Sequence, residues 1–429
     1  MHKGDAWRLD YIARVEGEGG LELVVSGANV EEARLRIFES PRFFEGFLEG
    51  RKFDEVPDIT ARICGICPIS YQMAACAAIE WAFSFTPSEQ TKRLRRLFSW
   101  AEIIQSHVLH LYMLAAPDYL GVEGAPALAA AYPEAMARAL RLKRAANDLS
   151  KAIGGREVHP IVPKVGGFYD LPPAGDLTHL AGHFREARED ALATLEMVAG
   201  FKLPALAREA DFLCLSHENM YALNEGDVKT LSGLVFPVER FLEHIGERQV
   251  AHSSARQCYL KGAGSYQTGP LARVNINHRQ LSKTTLERLD SLGFSFPSQN
   301  PFHAIIARAA EIVTGIDECI ELMEGFAPEP EDAVIEPRAG EGFGISEAPR
   351  GSLFHRYVFD DEGMVRRAHL IPPTSQNLAR IEDDLLAWTP SLLNKPKEEM
   401  ARACEMLIRS YDPCISCATH FLRVNMVRT

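Results

Sequence analysis

Arg62-Ile63-Cys64-Gly65-Ile66-Cys67-Pro68 near one end of the chain and Asp412-Pro413-Cys414-Ile415-Ser416-Cys417 near the other decide how this sequence is read. Each contains a C-x-x-C pair. With 9 Cys in 429 residues, chance supplies only about 0.2 such pairs. Four thiolates in two pairs can hold one soft metal centre once the fold brings the ends together. A structural zinc site is one reading, but zinc pairs usually lie roughly 15–20 residues apart and fold a small knuckle. Here roughly 350 residues intervene, so a metal would tie the whole fold together. A thioredoxin-like redox pair is another reading. It needs a C-x-x-C beside a βαβ unit, which neither segment shows.

The bulk composition narrows the classes. A chain of 429 residues has the length of two or three average domains. Its 46% hydrophobic content is that of a globular protein with a large core. A formal net charge of -12 argues against a nucleic-acid surface, and the basic run Lys92-Arg93-Leu94-Arg95-Arg96 is short enough to be a solvated helix face or a partner contact. The start, Met1-His2-Lys3-Gly4-Asp5-Ala6-Trp7, lacks the apolar core of a signal peptide. No apolar run reaches the roughly 20 residues of a membrane span. The other cysteines (Cys76, Cys214, Cys258, Cys319, Cys404) are scattered, as buried free thiols in a reducing compartment would be.

Periodicity gives the organisation. Leu21, Leu23 and Val25, then Leu35 and Ile37, alternate about Ser26-Gly27-Ala28-Asn29 and predict a β-hairpin over 20–38. Cys64 and Cys67 follow a turn at Pro57-Asp58 and precede a small-residue helix from about Gln72 to Ala82. Helical periodicity runs over 88–116, 133–153, 178–200, 236–258 and 301–324, with Pro- and Gly-rich joints at 117–133, 154–174 and 325–350. A second hairpin is predicted where 353–358 and 365–371 flank Asp361-Glu362-Gly363, and a last helix over 395–409. Arg14-Val15-Glu16-Gly17-Glu18-Gly19-Gly20 is glycine-rich but precedes a strand and lacks the G-x-G-x-x-G spacing. A nicotinamide substrate would therefore be bound by another polypeptide.

The two Cys segments, together with Arg14-Val15-Glu16-Gly17, the stretch His107 to Asp118, Glu347-Ala348-Pro349-Arg350-Gly351 and Pro372-Pro373-Thr374-Ser375-Gln376-Asn377, fall in one order along the chain. In that order the sequence resembles the large, catalytic subunit of nickel–iron hydrogenases. The resemblance implies a mainly α fold with small β-hairpins (α+β), a helical-bundle core forming one catalytic unit over 1–429. Within it 1–60 is β-rich, 61–330 is the helical core and 331–375 is a β-hairpin part. A C-terminal helix and metal-binding tail occupy 376–420, followed by a removable extension, 421–429.

By the same resemblance Cys64, Cys67, Cys414 and Cys417 bind nickel, with Cys67 and Cys417 bridging to an iron that carries carbon monoxide and cyanide. Thiolates suit such a soft centre. Glu16 becomes the first proton carrier beyond the sulfurs. Arg350, beside Pro349, lies over the site with donors for one cyanide, and Thr374 serves the other. Asp118 and Asp412 orient Arg350. Glu45, the backbone carbonyl of Leu370, and His420 hold a second, hard ion, magnesium. His107 and His110, three apart on one helix face, are structural, and Gly155-Arg156-Glu157-Val158-His159-Pro160 lies near a partner subunit.

Many members carry a histidine where this chain has Tyr71, which removes any relay assigned to that histidine. Gly264 to Arg273 and Asn300-Pro301-Phe302-His303 are similar to the compact cytoplasmic, bidirectional, NAD(P)-linked type. The implied partners are an iron–sulfur small subunit, flavin- and NAD(P)-binding diaphorase subunits, and an endopeptidase that removes Phe421–Thr429 once nickel is in place. A second hydrogenase reading sends electrons to ferredoxin or a disulfide reductase. A non-hydrogenase reading is the metal-free scaffold subunit of proton-pumping NADH:quinone oxidoreductase, and the four cysteines tell against it.

Overall fold

Ser88 opens the central helix of the chain, its hydroxyl accepting the Thr91 N–H at 3.0 Å, and the helix runs Glu89–Leu109. The computed structural model describes residues 5–27, 29–206 and 209–419. Pro133–Gly154 and Ala304–Met323 pack against that helix, and Ala174–Ala199 packs against those two. Pro133 starts its helix at the position where a missing N–H costs nothing, and Gly155 ends it in the left-handed region. The bundle core is built on Phe98, Trp100, Leu149, Phe184 and Ile312, all fully buried. Gly315 lets the Ala304–Met323 helix lie flush on Trp100, since a Cβ there would fall 2.6 Å from the indole ring. Half helical with small sheets, the chain has the expected mainly α architecture.

Two smaller layers flank the bundle. At one end Asp5–Leu9, Gly19–Ser26 and Asn29–Ile37 form a three-stranded antiparallel sheet. It packs on the C-terminal helices Pro373–Trp388 and Lys397–Tyr411 through Leu21, Leu35, Ile381 and Leu407. The start and finish of the chain thus share one apolar cluster. At the other side the strands Gly340–Ala348, Gly351–Phe359 and Val365–Ile371 form an antiparallel sheet against the helix Pro68–Ala82.

Several elements differ from the sequence reading. The segment 236–258 is not a helix. It holds the end of the strand Val235–Phe236, a 3-10 turn Val238–Arg240, one helical turn Phe241–His244 and then a hairpin, Ile245–Gln249 with Arg256–Leu260. Its apolar residues Phe241, Ile245 and Cys258 satisfy a helical period but are buried against Phe354 and Ile371 of the sheet, and Gly246 is seated flat on the Tyr259 ring. Tertiary burial overrides the period there. The joint 325–350 contains the strand Gly340–Ala348, whose glycines read as loop. They are needed because the strand lies directly on a helix: a Cβ at Gly342 or Gly344 would overlap the carbonyl oxygen of Ala78 or Ala74. Pro57-Asp58 sits inside a short helix, Val56–Ala61, and the joint 117–133 carries the helices Ala116–Leu120 and Ala125–Ala131.

Gly342→Ala is therefore expected to destabilise the protein by about 1–3 kcal/mol, the usual effect of overpacking, read as a lower denaturant midpoint. An unchanged midpoint would mean that this strand is not seated on the helix.

Candidate metal centre

Local structure explains how each cysteine is presented. Cys67 is the residue before the helix Pro68–Ala82, whose first turn starts on proline. That turn is capped from below by Glu102, a fully buried carboxyl that accepts the N–H groups of Ile69 (2.7 Å) and Ser70 (3.0 Å). Burial pushes the Glu102 carboxyl up to about 8. At the other end the helix Lys397–Tyr411 stops at Asp412, which takes the left-handed conformation (φ 54). Pro413 follows, then Cys414 and the single helical turn Ile415–Ala418 that carries Cys417.

The N-terminal loop closes over this turn. Glu16 pairs with Cys414 as an isolated parallel bridge, the Ile415 N–H donating to the Glu16 carbonyl at 2.9 Å. Gly17 (φ 86) permits the approach, because a Cβ there would lie 2.8 Å from the Ile415 Cβ.

The four thiols meet. The sulfurs of Cys64, Cys67 and Cys417 lie within 4.8 Å of one another, and the Cys64 and Cys414 sulfurs are 3.7 Å apart. All four residues are buried. The N–H groups of Ile66 (3.3 Å) and Cys67 (3.4 Å) point at the Cys64 sulfur. Hydrogen bonds from Cys414, Cys417 and Cys67 hold the Cys64 thiol well below its ordinary range, while burial pushes Cys414 and Cys417 up. One thiolate thus forms at the expense of its neighbours. A bound cation resolves that conflict, and a set of four sulfurs selects a soft one.

The surroundings fit a metal that carries further polar ligands. Arg350 is 2% exposed, donates Nη2 to Asp412 Oδ1 at 3.1 Å, and leaves Nε and Nη1 buried with no partner among the described residues. Burial works against its charge, but Asp412 and the sulfurs of Cys414, Cys64 and Cys67 beside it push the guanidinium well above the usual arginine range. Burial also opposes ionisation of Asp412, yet Arg350, His110 and Arg308 bring its carboxyl down to about 2. Thr374 accepts the Cys414 N–H at 2.9 Å, leaving its own O–H for another acceptor. Glu16 Oε2 stands 3.1 Å from the Cys414 sulfur and 3.1 Å from the Ser416 nitrogen. These spare donors facing a sulfur cluster suit a centre with extra anionic ligands better than a closed structural zinc site.

Other predicted residues fall elsewhere. Asp118 does not reach Arg350. It pairs with Arg14 and, through both oxygens, with Arg409 at 2.8 and 2.9 Å. Glu45 Oε1 accepts the Leu370 N–H at 2.8 Å, and burial pushes its carboxyl up. Their expected third partner, His420, lies outside the described residues, as does Phe421–Thr429. Pro349 offers its carbonyl, with that of Ala348, to Arg273 (3.3 and 2.7 Å). Arg273 is in turn fixed by Glu311 at 2.6 and 2.9 Å, and His107 Nε2 lies 2.7 Å from Glu311. His110 Nε2 is 2.7 Å from the Arg409 carbonyl. His159 turns in a left-handed conformation to meet the Ala61 carbonyl at 2.9 Å.

Tyr71 lies beside the cysteines, its hydroxyl buried with no partner among the described residues, its ring 5.6 Å from His355. Arg273, Glu311 and Glu102 were not legible as site residues. Each is one charged residue on an amphipathic helix until the fold shows it buried.

The chain's relatives among known proteins are hydrogenase subunits. The nickel-dependent hydrogenase family profile matches residues 42–153 and 262–420. The chain is similar to sulfhydrogenase 1 subunit alpha of Pyrococcus furiosus, 34% identical over 423 residues, covering 97% of this chain and 98% of that one. It is also similar to the NAD-reducing hydrogenase HoxS subunit beta of Cupriavidus necator, 28% identical, with 96% and 94% covered. Its backbone superimposes on a crystal structure of an NAD+-reducing [NiFe]-hydrogenase in the H2-reduced state with a TM-score of 0.86, at 25% identity and with 98% and 100% covered. Two Cys pairs brought together from opposite ends, in a fold and sequence shared with these proteins, place the chain in the nickel-dependent hydrogenase family as its large, catalytic subunit.

Proposed function

We propose that this subunit carries out the reversible heterolytic cleavage of dihydrogen at a nickel–iron centre whose iron bears carbon monoxide and cyanide. The observation that carries the reading is the Glu16 carboxylate 3.1 Å from the sulfur of Cys414, a base in reach of a metal-ligand thiol. Cys64, Cys67, Cys414 and Cys417 would hold the metals through their sulfurs. The chemistry that a nickel–iron pair supplies when bound is polarisation of dihydrogen and acceptance of its two electrons.

The rest belongs to the chain. The Cys414 sulfur takes up the released proton and Glu16 Oε2 receives it. Arg350 would offer Nε and Nη1, and Thr374 its hydroxyl, to cyanide nitrogens. Asp412 keeps the guanidinium in place. The four cysteines belong to an apolar cluster that also contains Ile63 and Tyr71, which limits water at the reacting atoms. Glu45, the Leu370 carbonyl and His420 would hold magnesium.

Electrons leave through an iron–sulfur small subunit and flavin-bearing diaphorase subunits, to or from NAD(P), in the cytoplasm. The likeness to sulfhydrogenase and NAD-reducing subunits supports that acceptor. Among the described residues no helix is long and apolar enough to cross a membrane. Maturation ends with an endopeptidase cut after His420.

The test is an infrared spectrum of the mature complex purified with its partners. Bands of metal-bound carbon monoxide and cyanide are expected, together with hydrogen-dependent reduction of NAD(P)+. A folded, nickel-loaded sample without those bands would overturn the metal assignment. Reduction of ferredoxin but not NAD(P)+ would overturn the acceptor.

A further inference from the structure

Glu16 lies in a stretch with little regular structure of its own. Residues 11–18 belong to no strand apart from the single bridge at Glu16, and Arg14 is held in the left-handed region (φ 57), which costs energy for a residue with a Cβ. The Ile415 and Ser416 N–H groups hold Glu16 itself, and the contacts that anchor the loop behind it converge on Asp118, whose side chain is 2% exposed.

Asp118 Oδ1 pairs with Arg14 Nη2, two residues before Glu16. Both Asp118 oxygens take the fork of Arg409, five residues before Cys414, at 2.8 and 2.9 Å. Arg409 Nη1 also donates to the Ala13 carbonyl at 2.6 Å, and the Ala13 N–H donates to Glu405 on the same helix at 2.9 Å. One buried carboxylate therefore ties together the two segments that present Glu16 and Cys414. A π-helical turn, His110–Ala115, precedes it directly. A widened turn of this kind frees carbonyls from the helix ladder, and here the Leu114 carbonyl accepts Arg14 Nη1 at 2.6 Å.

We infer that Asp118 is a positioning residue for Glu16: through Arg14 and Arg409 it sets the separation between the Glu16 carboxylate and the Cys414 sulfur. This rests on the reading of Glu16 as the proton carrier. It departs from the expectation that Asp118 orients Arg350, which bonds to Asp412 instead.

The experiment compares Asp118→Asn and Arg14→Gln in the assembled enzyme, each alone and combined with Glu16→Gln. Arg14 is partly exposed (21%), so Arg14→Gln decides the matter where Asp118→Asn fails to load nickel. Hydrogen–deuterium exchange, nickel content and the infrared band positions are read together. Both single variants are expected to lower exchange about 10- to 100-fold, the scale of a roughly 1 Å misplacement, with nickel and bands unchanged. In the Glu16→Gln background neither is expected to lower it further, since residues acting through one another are non-additive. Multiplying losses in that background, or shifted bands, would show Asp118 acting elsewhere and overturn the inference. So would full exchange activity in both single variants. Unchanged exchange in Glu16→Gln alone would instead remove the proton-carrier reading, and the inference with it.

Discussion

Cys417→Ser is expected to give a folded chain that retains no nickel and cleaves no dihydrogen. The Cys417 sulfur lies within 4.8 Å of those of Cys64 and Cys67, so it belongs to both the sulfur cluster and its geometry. A serine hydroxyl is smaller, harder and un-ionised at neutral pH, and a soft metal in a thiolate set gains little from it. The substitution also leaves a hydroxyl in a buried position, a cost of about 1–3 kcal/mol when it finds no partner. The three main apolar clusters hold the fold without this sulfur's metal bonds, which is why folding and metal content separate. Nickel by elemental analysis, dihydrogen uptake and circular dichroism are the measurements. A Cys417→Ser enzyme with full nickel and activity would remove Cys417 from the ligand set.

The second large effect is on proton transfer. Glu16→Gln is expected to slow hydrogen–deuterium exchange by about 10²- to 10⁴-fold, the range for loss of a positioned acid–base group. Nickel content and the infrared bands should stay as they are. The amide keeps the shape of the side chain and an oxygen for the Ser416 N–H, which the carboxylate accepts at 3.1 Å. What it loses is the ability to take a proton from the Cys414 sulfur. Exchange at the native rate in a nickel-loaded Glu16→Gln enzyme would take Glu16 off the path.

Much of the molecule could be read from the sequence where the signal is local. A C-x-x-C pair places two sulfurs within one turn of chain whatever the rest does, and the long helices carry their period in consecutive residues. The hairpin over 351–371 declares itself by alternation around a glycine turn. The failures share a cause. In 236–258 the apolar spacing suits two structures, and the choice was made by a sheet far downstream, through Phe354 and Ile371. In Gly340–Ala348 the glycines answer to a helix at 68–82 rather than to any turn. Asp118, placed beside Arg350 by resemblance, is claimed by Arg14 and Arg409 because they, and not Arg350, come within reach of its carboxylate.

The sequence by itself determined which groups carry the chemistry: four thiols in two pairs, a glutamate in a glycine-rich stretch near the start, an arginine, and the family they belong to. Only the tertiary structure decided who meets whom. The Glu16–Cys414 contact spans 398 positions and the Asp118–Arg409 pair 291. Contacts at such separations leave no periodic trace, because their geometry is set by how whole helices and sheets pack and not by the spacing of neighbouring residues.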